Sequence, residues 1–184
     1  MTVPTLGRLE ARPALDAPDL LADPVAQALR ADAALAAEVA VAPIDADLAD
    51  TAAFCQAYDV GLEVSANCLV VQARRGERTW YAACLVLATT RADVNGLVRR
   101  HLDARKASFA PMDLAVQLTG MEYGGITPVG LPADWPVLVD AAVAAAGPVV
   151  VGSGLRRSKL VLPGAALAAL PAAAVLDGLG LPVA

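Results

Sequence analysis

With 184 residues, a 57% hydrophobic share and a net charge of −5, the chain is long enough for one domain with a substantial core, and its acidic balance argues against a general nucleic-acid coat protein. The longest uncharged apolar runs, 141–154 and 160–176, are broken by Gly and Pro and fall short of the roughly 18 uninterrupted apolar residues of a spanning helix. Residues 1–60 carry ten acidic and three basic side chains, and residues 61–184 carry nine and eleven, so a local phosphate contact remains open to the C-terminal two-thirds.

The first residues lack a charged stretch followed by an apolar one, so no signal peptide is expected. Residues 1–22 are rich in Pro, Asp and Ala without a clear period and read as a loosely attached N-terminal arm, whose Leu20-Leu21 pair could dock; residues 23–184 read as a single domain. Asp23 and Pro24 open a helix. Residues 37–44 alternate like a strand, with Pro43 near its end. Asp50 and Thr51 cap a short helix reaching Tyr58, on which Phe54, Ala57 and Tyr58 share a face. Cys55, Cys68 and Cys84 are odd in number and far apart, so they read as reduced, mostly buried thiols of a cytosolic protein.

Strand patterns then dominate. Residues 68–73 and 79–88 flank a polar turn containing Gly76, which predicts a hairpin. A helix over 94–102 follows, with Leu97 and Val98 inside and Arg99 and Arg100 outside. A strand is expected over 106–109 and a helix to Leu118, closed by Thr119 and Gly120. The loop Met121 to Gly130 holds Gly124, Gly125, Thr127 and Pro128. Glycine lets a backbone approach a ligand closely and take φ > 0, so such a loop can turn bare N–H groups towards an oxyanion or phosphate; it can also be a plain turn. A short apolar strand ends at Asp140, a brief helix covers 141–146, and strands over 149–151 and 159–162 bracket a second loop with Gly152, Ser153, Gly154, Arg156 and Arg157. A short helix over 164–170, a strand-like stretch over 173–176 and a frayed end complete the chain. The sum is an α+β fold with a mixed, curved, barrel-like sheet flanked by helices. One histidine, His101, and scattered cysteines make a metal site improbable, and no cofactor is expected. Ser153 lacks a base partner in the sequence, which argues against covalent catalysis.

The ordered pieces Ala66 to Val71, Arg91 to Leu97, Leu118 to Gly130, Val139-Asp140 and Val151 to Gly154 resemble the YbaK/EbsC family, the prolyl-tRNA-synthetase-associated editing domain. The resemblance covers about four-fifths of the chain. It implies trans-editing, the hydrolysis of the ester joining a wrong amino acid to the 3′ end of a tRNA. It also implies partners in the mischarged acceptor end and an aminoacyl-tRNA synthetase. Such a second site is useful because a methylene is worth only about 1–3 kcal/mol of discrimination. It implies that backbone N–H groups at Gly124 and Gly125, with Thr127 and Pro128, hold the ester and terminal ribose while water attacks. Gly152, Ser153 and Gly154 would form the opposite wall. The family usually carries a lysine where this chain has Asn67, which keeps hydrogen-bonding ability without charge. Lys106 and Lys159 do not lie at that position, so Arg156 or Arg157 is expected to supply the positive charge. Two alternatives remain open: a binding module for an aminoacyl or nucleotide group without turnover, and a subunit that docks on a synthetase through the acidic N-terminal region.

Overall fold

The structure, a computed structural model, describes residues 6–183. The N-terminal part holds β1 (Arg12–Pro13), α1 (Asp23–Ala31), α2 (Ala33–Glu38), β2 (Ala40–Pro43) and α3 (Thr51–Tyr58). The middle holds β3 (Ala66–Arg75), β4 (Arg78–Leu87), β5 (Thr90–Ala92), α4 (Arg99–His101), β6 (Lys106–Phe109) and α5 (Met112–Thr119). After the glycine loop come β7 (Val137–Asp140), α6 (Ala141–Ala145), β8 (Pro148–Gly152), β9 (Ser158–Pro163), α7 (Gly164–Ala168), β10 (Ala173–Leu176) and β11 (Gly180–Pro182).

The strands form three sheets, ordered β1-β2-β9-β8, β10-β7-β4-β3-β6 and β11-β5. The fold class is the expected α+β, and the five-stranded sheet is mixed, because β7 runs parallel to β4 and β10 while β3 is antiparallel to β4 and β6. The sheets do not close on one another. Among the described residues one isolated parallel bridge, Ser65 to Val150, joins the residue before β3 to β8. Val149, Val150 and Val151, like Leu160, Val161 and Leu162, are all buried, as expected for strands covered on both faces.

Three stretches differ from the sequence expectation. Residues 6–22 are packed: β1 pairs with β2, and Ala14, Ala17, Leu20 and Leu21 enter the main core. The expected helix over 94–102 begins as a π-helical turn, Val94–Val98, capped by Asp93, whose two carboxylate oxygens accept backbone N–H groups from Gly96 at 3.0 Å and Leu97 at 2.7 Å. The tail does not fray; β11 pairs antiparallel with β5, and Leu179 is fully buried.

Asp140 accounts for much of that last difference. Its buried carboxylate accepts the N–H of Ala142 at 2.9 Å, capping α6, and the N–H of Gly180 at 2.7 Å, anchoring β11. Losing a cap and a charge-assisted bond together costs about 2 kcal/mol. Asp140→Ala is therefore expected to lower stability by about that amount in urea unfolding, with faster amide exchange in β11 than in β3.

Candidate functional site

A cleft of about 540 Å³ opens where the two large sheets meet. Its walls come from the start of α3, the first half of β3, the end of β6, the first turns of α5, the glycine loop and the facing ends of β8 and β9. Among the described residues it is lined by one carboxylate, Asp50, and one cation, Lys159.

Asn67 lies in the cleft wall, where its side-chain oxygen accepts the Thr51 hydroxyl at 2.8 Å. That bond ties β3 to the first residue of α3 and fixes the amide. Gly124 and Gly152 also line the cleft. Gly124 has φ +82°, a left-handed conformation that suits glycine. Among the described residues, no acceptor takes the N–H of Gly124 or of Ile126, another lining residue. They are bare donors of the kind that an oxyanion can occupy.

The two glycine-bearing loops adjoin rather than face each other across the cleft. The N–H of Gly154 donates to Gly125 O at 2.7 Å and that of Glu122 to Gly154 O at 2.8 Å. A Cβ on Gly125 would sit 2.6 Å from the Leu155 carbonyl carbon, and one on Gly152 would collide with the carbonyl oxygens of Gly125 and Ile126. Glycine is required here by close backbone approach.

The remaining predicted residues surround this junction. Arg156 donates from its guanidinium to Tyr123 O at 3.1 Å and Ala46 O at 3.3 Å, while its N–H meets the Glu122 carboxylate at 2.6 Å. It clamps the glycine loop to the turn before α3. Arg157 is exposed and reaches Asp19 O at 2.6 Å. Ser153 is fully buried, and its hydroxyl is 2.7 Å from that of Ser158 and 3.0 Å from Ser158 O. Thr127 is fully buried too, and its hydroxyl has no partner among the described residues. Pro128 is buried and lines a separate groove beside α1 and α2. Thus Asn67, Gly124 and Gly152 share the cleft, and Gly125, Gly154 and Arg156 brace it. Arg157, Ser153, Thr127 and Pro128 do not line it.

Sequence reasoning missed Lys159. It sits at 8% exposure on β9, opposite Ala42 of β2, and its ammonium donates to Ala49 O at 3.1 Å. The Phe54 ring centroid lies 5.3 Å from Nζ, within reach of a cation–π attraction. No carboxylate within ion-pair distance balances it among the described residues. Burial lowers its pKa from the ordinary 10.5, and the nearby Arg156 cation lowers it further, against smaller opposing effects of Cys55 and Asp50. A lysine is almost never buried without a partner. The available signal was one charged residue inside the otherwise uncharged run from Ser158 to Leu162.

The thiols are poor nucleophiles. Burial, helped by neighbouring Cys84, pushes the Cys68 thiol in the cleft wall far up, and burial raises Cys84 to about 12. Among the described residues no group of three or more His, Cys, Asp or Glu side chains is placed to hold a metal ion, and no helix is long and apolar enough to cross a membrane.

This fold has solved counterparts. A crystal structure described as a proposed trans-editing enzyme for prolyl tRNA synthetase is 24% identical with a TM-score of 0.72, covering 85% of this chain and 94% of that one. A crystal structure of a hypothetical protein is 19% identical with a TM-score of 0.74, covering 86% and 100%. At these identities they establish the fold. No curated protein matches the chain. Residues 45–170 match the aminoacyl-tRNA editing domain, a span that takes in Asp50, Asn67, both glycine loops and Lys159. The chain belongs to the aminoacyl-tRNA editing domain family.

Proposed function

We propose that the protein is a trans-editing deacylase that hydrolyses the ester between an amino acid and the 3′ end of a mischarged tRNA. The observation that carries this reading is a cleft pairing bare backbone N–H groups with an unpaired buried ammonium. An ester carbonyl directed at Gly124 and Ile126 becomes an oxyanion as water attacks, and both the N–H groups and Lys159 favour that charge. One such donor is typically worth about 10²–10³ in rate. The water oxygen bonds to the carbonyl carbon and the bond from that carbon to the ribose oxygen breaks. The proton lost by the water ends on the departing ribose hydroxyl. Asp50 is the cleft's one carboxylate and holds the substrate's α-ammonium. A synthetase partner and a cytoplasmic place of action accompany this reading.

The test is to incubate the protein with a panel of mischarged tRNAs and follow amino acid release. Release from at least one member above the spontaneous rate is expected. If every tRNA is bound and none is hydrolysed, the protein is instead the binding module. Arg156→Ala unclamps the glycine loop from Tyr123 O and Ala46 O while leaving Lys159 in place, and is expected to lower kcat about tenfold or more with little change in tRNA affinity, read by single-turnover kinetics.

A further inference from the structure

Basic side chains are concentrated in one part of this acidic chain. Residues 74–106 hold eight basic and three acidic side chains, a net of +5, so the rest of the chain is at −10. Part of that charge converges on a second groove, about 480 Å³, lined by Arg74 of β3, Asn95 and Arg99 of the helical segment, and Arg105, Lys106 and Ser108 on and before β6. Arg74 lies directly opposite Lys106 across the β3–β6 ladder, and Arg75 opposite Arg78 across the β3–β4 ladder. Like charges directly opposite destabilise a sheet. Only Arg75 has an ion-pair partner among the described residues, Asp103. The two like-charge pairs therefore cost the fold stability rather than adding to it.

The groove and the cleft share strand β6. β6 begins at Lys106 in the groove and ends at Phe109 on the cleft rim, about 10 Å away at roughly 3.3 Å per residue. Phe109 is 58% exposed, and Tyr123, across the rim on the glycine loop, is 56% exposed. Exposed rings beside a basic track are what a single-stranded nucleic acid end uses: phosphates on the cations, bases on the rings.

We propose that the β6 groove is the docking track for the RNA phosphate backbone, with Phe109 and Tyr123 as stacking platforms that turn the 3′ end into the cleft. This rests on the reading of the protein as one that takes an aminoacylated RNA. It adds which surface holds the RNA and how its end enters.

The main test is fluorescence anisotropy with uncharged total tRNA over a salt series, so hydrolysis does not enter the binding readout. Arg74→Glu with Lys106→Glu is expected to weaken binding at least tenfold and to reduce the slope of log K against log salt by about 1.5–2. Arg105→Glu alone is the second variant, expected to reduce the slope by about half as much. Phe109→Ala is expected to weaken binding about tenfold with the slope unchanged. Unchanged affinity and slope in charge-reversed variants that melt like the parent would overturn the proposal. So would poly-glutamate displacing tRNA at equal charge while Phe109→Ala binds normally, since the patch would then be one for acidic protein. Hydrolysis of a short aminoacyl ester without phosphates at the parental rate by the charge-reversed protein supports a docking role separate from chemistry. A protein that hydrolyses nothing yet binds tRNA through these residues keeps the track and loses only the deacylase reading.

Discussion

Lys159→Met is expected to reduce deacylation about a hundredfold or more while leaving the protein as stable as the parent, or more stable by about 1 kcal/mol. The two halves have one cause. The ammonium is desolvated in an apolar strand and held by one carbonyl and the face of Phe54. An isolated buried charge costs several kcal/mol, and methionine fills the same volume without it. What is lost is the positive charge in the cleft wall, worth about 2.7–4 kcal/mol to an oxyanion. Stability should also change its pH profile. The folded pKa of Lys159 lies below its ordinary 10.5, so between those two values the unfolded chain binds more protons and stability rises with pH. That alkaline rise should vanish in Lys159→Met. The companion variant is Asn67→Lys. Alone it sets a second cation in a cleft that already has one and breaks the Thr51 bond, so no gain in rate is expected. Combined with Lys159→Met it should restore part of the lost rate. A stable Lys159→Met protein with parental activity would remove the ammonium from the chemistry.

Gly152→Ala is expected to cost about 2–3 kcal/mol of stability and at least a hundredfold in rate. A single methyl there meets two backbone oxygens, those of Gly125 and Ile126. Backbone cannot rotate aside as a side chain does, so the two loops must part. Overpacking of this kind costs about 1–3 kcal/mol, and displacing the N–H groups of Gly124 and Ile126 by about 1 Å is enough for a hundredfold loss. Gly147→Ala is the control. A Cβ there meets nothing within 4 Å, so its stability should be unchanged or up by about 0.5 kcal/mol. Equal melting temperatures and rates for both variants would show that the loops do not need their backbone contact.

Local patterns were legible where local chemistry decides the outcome. The β3–β4 hairpin follows from two apolar runs around a Gly-containing turn, and its ten-residue register runs from Ala66–Leu87 to Arg75–Arg78. The end of α5 at Gly120, with φ +65°, follows from glycine's tolerance of the left-handed region. Long-range partners were not legible. Lys159 becomes a cleft residue only because β9 inserts between β2 and β8, which aligns it with Ala42. The last strand forms only because Asp140 and β5 are waiting for it, and both lie far back in the chain. Asn67 could be singled out from the sequence. That its amide would be held by Thr51 needed α3 placed beside β3.

The position of β6 at the outer edge of its sheet carries a further consequence for how the molecule behaves in concentrated solution. An unpaired strand edge is a template for another chain, and lysines and arginines along it are a common guard against that. At the start of β6 the guard and the proposed RNA track are the same residues, Arg105 and Lys106. Neutral substitutions there would unblock the edge as well as weaken docking, and the protein would then tend to stack strand against strand. Reversing the charges instead keeps neighbouring copies apart by repulsion. Once RNA lies in the groove its phosphates cancel the guard, but its bulk then covers the edge.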